Sequence, residues 1–180
     1  MLYYNWKVND MERQEVINNK NNKEFILKAV QEKGKFLEQA DEKLQDDDEV
    51  VKKALEQDGE ALEFASKRMK SDKKMLMLAT KTAPWTICYA SENLKADREL
   101  ILNNCKKYGQ TLYFASEDLR NDREVVKSAV ENKGIIIKYA SEELRDDKEL
   151  AEIAVKQNKD AYHFISERLK QDDEIKSYLK

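Results

Sequence analysis

The sequence predicts an all-α fold: an α-solenoid of six tandem 25-residue two-helix repeats with terminal capping helices. Three observations carry this expectation. Asp47, Asp72, Asp97, Asp122, Asp147 and Asp172 each stand 25 residues from the next. Between them the same residue types return in phase, with no insertion or deletion, which is the signature of a repeat architecture. Helix breakers are scarce, four Gly and one Pro in 180 residues, as suits helices joined by short connections.

The repeats are expected over residues 22–171, preceded by an out-of-register cap at 1–21 and followed by a capping half-repeat at 172–180. The cap holds Tyr3, Tyr4 and Trp6 and a helix from about Asp10. In the repeat that starts at Asp122, the aspartate is suited to N-cap a first helix and Glu124 to complement its dipole. Val125, Val126, Ala129 and Val130 follow the spacing of a buried helical face. Gly134 is expected to stop that helix by adopting the left-handed conformation. A second helix is expected from about Ile135, burying Ile136, Ile137, Tyr139, Ala140 and Leu144, with Arg145 in its last turn. Its apolar arc is broad, as a helix sandwiched between neighbouring repeats requires. Asp172, Ile175 and Leu179 begin a seventh unit.

Several columns are held by small residues. One is Ala29, Ala54, Ala79, Asn104, Ala129 and Ala154; another is Ala40, Ala65, Ala90, Ala115, Ala140 and Ile165. Ser66, Ser91, Ser116, Ser141 and Ser166 follow the second alanine column. These serines read as close-packing positions whose hydroxyls bond a carbonyl one turn back.

The string LYFASEDLRNDREVVKSAVENKG, Leu112 to Gly134, resembles the repeat of the family called domain of unknown function 4116. The shared pattern is a leucine, the Ala-Ser pair, Leu-Arg or Leu-Lys, an aspartate, two aliphatics and an alanine before a glycine. The resemblance covers roughly residues 22 to 171. Departures are Asp41 for serine, Pro84 and Lys159 for glycine, Asn104 for alanine and Ile165 for alanine. The resemblance implies the repeat fold and an interaction role, and no catalytic residues.

Composition narrows the function classes. With 33 Lys+Arg against 36 Asp+Glu the net charge is −3, which disfavours a nucleic-acid partner. Cys88 and Cys105 have no metal or redox spacing, and a reducing, cytoplasmic location is expected, in the producing cell or in a host cell. Neither a signal peptide nor a membrane span is legible. His163 is the one histidine and sits in an exposed, variable column; Cys105 occupies a core column. Clustered carboxylates such as Asp46, Asp47 and Asp48 fall at helix starts, where capping accounts for them. No phosphate loop, nucleophile elbow or HExxH pattern is present. No enzyme activity, cofactor or metal is expected.

The candidate binding residues are those that break the repeat. Residues 72 to 121 hold eight Lys/Arg and six Asp/Glu, a basic centre in an acidic chain. There Trp85 stands in the column of Lys35, Glu60, Gln110 and Asp160; Cys88 and Tyr113 stand with Glu38, Glu63, Lys138 and His163. Met77 and Leu102 replace Lys52, Lys127 and Glu152, and Tyr108 replaces Lys33, Asp58 and Lys133. With Lys81 and Lys106 they form the candidate surface for another protein, exposed aromatics being favoured interface anchors. A blander reading stands beside it: Trp85 folds over the helix start behind Pro84, and Met77 and Leu102 merely widen the core stripe. The leading function is a non-catalytic protein-binding scaffold, an inhibitor or adaptor, monomeric in preference to oligomeric. A reader of RNA or single-stranded nucleic acid, and a structural or oligomerisation element, are the alternatives.

Overall fold

The computed structural model describes residues 13–180. Tyr3, Tyr4, Trp6 and the expected helix start near Asp10 lie outside the described residues; the helical stretch present there is 13–18. Helices are the regular structure of the described residues, with no strand among them. The chain divides into two compact units, Met1–Ser91 and Glu92–Lys180.

The first unit carries the ten-residue helices Lys23–Glu32, Asp48–Gln57 and Lys73–Thr82. The second carries Arg98–Lys107, Arg123–Asn132 and Lys148–Gln157. Each starts behind the expected N-cap. Asp122 accepts from the Glu124 and Val125 amides at 3.0 and 3.1 Å, and Asn22 does the same office for Phe25 at 3.2 Å. The buried face is the expected one: Val50, Val51, Ala54 and Leu55 in the first unit, Val125, Val126, Ala129 and Val130 in the second. Removing each large aliphatic side chain from water contributes about 1.5–3 kcal/mol.

The second half of the repeat differs from expectation. It is not one helix but two short pieces. In the fifth repeat a 3-10 segment, Gly134–Tyr139, is followed by the one-turn helix Glu142–Arg145. Between them Ala140 is extended, with φ −68° and ψ 159°. The same order recurs as Gly34–Gln39 then Glu42–Gln45, and Gly59–Phe64 then Lys67–Lys70. The break has a local cause. Ser141 accepts from the Leu144 amide at 3.2 Å, so the serine column caps a new helix rather than bonding a carbonyl one turn back. The serine hydroxyl also donates to the preceding repeat: Ser141 to Asn121 Oδ1 at 2.6 Å, Ser66 to Asp46 and Ser166 to Asp146.

The extended link makes a main-chain ladder. Ser66 N–H donates to the Gln45 carbonyl and Ser91 to Lys70 in the first unit. Ser116 donates to Lys95, Ser141 to Arg120 and Ser166 to Arg145 in the second, all at 3.0–3.2 Å.

The glycines also act otherwise than expected. No described residue has positive φ, and the helix ends at an extended residue, such as Lys133 with φ −151°. Gly134 opens the 3-10 segment instead. The column is small because the next repeat is close: a Cβ on Gly34 would sit 2.5 Å from the Ala54 carbonyl oxygen, and one on Gly109 2.6 Å from that of Ala129. The small alanine opposite permits the same approach. At the C-terminus Asp172 caps the helix Asp173–Ser177, which buries Ile175.

Candidate functional site

In the first unit the helix Lys73–Thr82 and the 3-10 segment Pro84–Tyr89 place the first four candidate residues. Met77 is 50% exposed and Trp85 42%, Lys81 is exposed and Cys88 is half-buried. Trp85 is held from the preceding repeat. The Glu60 carboxylate pairs with Lys35 and also accepts from the Trp85 side chain, and these partners keep it below the usual carboxylate range. Trp85 is therefore tied to the preceding repeat while part of it remains exposed. Nearby, burial and a hydrogen bond to Glu63 push the Tyr89 hydroxyl up to about 12. Lys70 bonds the Glu63 carbonyl at 2.6 Å and lies 5.9 Å above the Tyr89 ring, and burial lowers its pKa.

The second unit carries the other four. Leu102 and Tyr108 are half-buried and Lys106 is exposed. Tyr113 is 55% exposed, on the short helix Thr111–Phe114. Its ring centroid lies 4.9 Å from those of both Phe114 and Tyr139, an edge contact and a tilted stack. Lys138 sits 4.8 Å above Tyr139 and 5.9 Å above Phe164. Tyr113 thus heads an aromatic and cationic row that sequence reading did not assemble, because Tyr139 read as the flank of a core stripe. The eight candidates are divided four and four between the units. His163 is exposed and Cys105 fully buried, with burial pushing its thiol up to about 12.

Charge is arranged as a second ladder. Lys23 pairs with Asp47 and Glu49 at 2.8 and 3.0 Å in the first unit. In the second unit Arg98 pairs with Asp122 and Glu124 at 2.7 and 2.6 Å, Arg123 with Asp147 and Glu149 at 2.8 and 2.5 Å, and Lys148 with Asp172 and Glu174 at 3.0 Å each. The N-cap aspartates therefore hold their own helix and the preceding one together. No group of metal-ligating side chains stands among the described residues, and none of their helices is long and apolar enough to cross a membrane.

A family model described as "Domain of unknown function (DUF4116)" matches residues 22–70, 47–95, 97–145 and 147–176. Every match begins at the N-cap of a ten-residue helix: Asn22, Asp47, Asp97 or Asp147. The chain belongs to the DUF4116 family. No curated protein and no solved structure matches it. Within the DUF4116 repeat, the caps, the glycine approach and the serine link account for the recurring polar and small residues; Trp85 and Tyr113 fall in columns that vary.

Proposed function

We propose that this DUF4116 protein is a non-catalytic scaffold, an α-solenoid of six repeats, that binds another protein as an inhibitor or adaptor. One observation carries the reading. Among the described residues the exposed large apolar side chains are Ile17, Met77, Trp85 and Tyr113, and three of these four lie where variable columns depart from polar residues. Large apolar groups held in solvent by fixed neighbours are what a recognition surface needs. The N-cap aspartates and the hydroxyls of Ser66, Ser116, Ser141 and Ser166 are engaged in caps and ladders, which supports a non-catalytic role. Two unbridged cysteines suit a reducing, cytoplasmic setting.

The test is affinity purification from the native host with quantitative mass spectrometry, comparing the natural chain with Trp85→Ala, Tyr113→Ala and the double variant. The expected outcome is a partner enriched by the natural chain and lost by the double variant at unchanged melting temperature. Equal capture by the double variant overturns the reading.

A further inference from the structure

Within the second unit one cation stands apart from its column. The side chains at Gln45, Lys70, Lys95, Arg120, Arg145 and Lys170 occupy one repeat position. Five of them have partners. Gln45 reaches the Leu37 carbonyl at 3.1 Å, Lys70 the Glu63 carbonyl at 2.6 Å and Arg145 the Phe164 carbonyl at 3.5 Å; Lys95 and Lys170 pair with Glu92 and Glu167 at 2.9 and 2.6 Å. The Arg120 side chain makes no hydrogen bond or ion pair among the described residues, and its Nε is buried without an acceptor, as is that of Arg145. An arginine fork without an acceptor is best matched by an anion that offers two oxygens.

Arg120 and Arg145 line one groove with Asn121, Tyr139, Ser141 and Glu142. Exposed Glu117 and Asp118 line it as well. Exposed Tyr113 lies against Tyr139, one of the lining residues, with ring centroids 4.9 Å apart. The unpartnered Arg120 therefore calls for an anion, while Glu117, Asp118 and Glu142 repel extended anions and attract cations.

We propose that this groove docks a single carboxylate side chain of a partner protein, presented between basic residues. The carboxylate takes the Arg120 fork in bidentate fashion, the flanking cations meet Glu117, Asp118 and Glu142, and the neighbouring apolar part of the partner lies on Tyr113. A planar fork is required, so arginine and lysine are not equivalent here. The site deepens the protein-binding reading above and rests on it.

The probe is the capped peptide acetyl-Lys-Glu-Lys-amide, titrated against the full chain while the Arg120 and Arg145 Nε–H resonances are followed. A saturable shift is expected, with acetyl-Lys-Gln-Lys-amide and inorganic phosphate each weaker by roughly tenfold or more. Arg120→Lys should weaken binding and Arg120→Gln abolish it, with the melting temperature held as the check on folding. The proposal is overturned if no saturable shift occurs, if the glutamine peptide or phosphate binds as well, or if Arg120→Lys binds like the natural chain. An absent peptide response together with Trp85- and Tyr113-dependent capture overturns the groove alone. Unchanged capture by the Trp85/Tyr113 double variant overturns the wider reading, whatever the peptide does.

Discussion

The Gly109 amide donates to Asn132 Oδ1 at 2.8 Å, and the Asn132 Nδ2 returns a bond to the Lys106 carbonyl at 3.2 Å. One side chain thus closes the end of the preceding repeat's helix and the turn at Gly109 that leads into the short helix Thr111–Phe114. Gln57 does the same at Gly34 and Glu32, at 2.6 and 3.3 Å. Asn132→Leu leaves both main-chain groups without that partner and should cost about 1–3 kcal/mol in urea unfolding. Gly109→Ala forces a Cβ against the Ala129 carbonyl and should cost a similar amount, about 1–3 kcal/mol. A Gly109→Ala chain of unaltered stability would show that the close approach is not required.

Asp122 caps its own helix and receives Arg98. Asp122→Ala should lose about 1–2 kcal/mol through the cap. Asp122→Asn retains a capping oxygen and gives up the ion pair, which lies at the surface and is worth little, so it should lose less than about 1 kcal/mol. Equal losses for the two variants in chemical denaturation would put the stabilisation in the ion pair instead.

Acid should destabilise the protein in a defined window. The Ser66 hydroxyl holds the Asp46 carboxyl below the usual range, Arg98 that of Asp122, Ser166 that of Asp146 and Lys148 that of Asp172. The unfolded chain titrates these groups near 3.9, so it binds more protons than the folded one below that pH. Their contribution is complete above the ordinary carboxylate range and is lost as pH falls through the lowered folded values. Urea midpoints measured from pH 7 to pH 3 should fall at the acid end, and less steeply in Asp122→Asn. A flat midpoint over that range contradicts the assigned interactions.

The two thiols should separate cleanly. Cys105 is fully buried with its pKa pushed up to about 12, whereas Cys88 is half-buried. Since the thiolate is the reactive form, a disulfide reagent at neutral pH should label one thiol per native chain and two in denaturant. Rapid native labelling of Cys105, located by peptide mapping, would mean that its core column opens.

Much of the scaffold was legible before any coordinates. The in-phase aspartates identified the N-caps, and the 3–4 spacing of Val125, Val126, Ala129 and Val130 identified the buried face. Gly134 was misread because one residue serves two purposes: left-handed φ and close approach both select glycine, and only the neighbour at Ala154 discriminates them. The break at Ala140 was hidden by an apolar run that suits a helix. The signal lay in Ser141-Glu142-Glu143, an N-cap followed by first-turn acids. At the candidate site, the exposure of Met77, Trp85 and Tyr113 followed from residues foreign to their columns. Arg120 carried no such mark, since a cation among Lys70, Lys95 and Lys170 looks ordinary until its lack of a partner is seen.

Ser66, Ser91, Ser116, Ser141 and Ser166 each give the preceding repeat one rung made of an amide and a carbonyl. No side-chain replacement can delete a rung unless proline removes the amide. Exposed residues outside the charge ladder are therefore released from maintaining the join between repeats and are open to recoding. A protein built this way is a cassette: its exposed variable columns can be rewritten one repeat at a time while main-chain rungs keep the register.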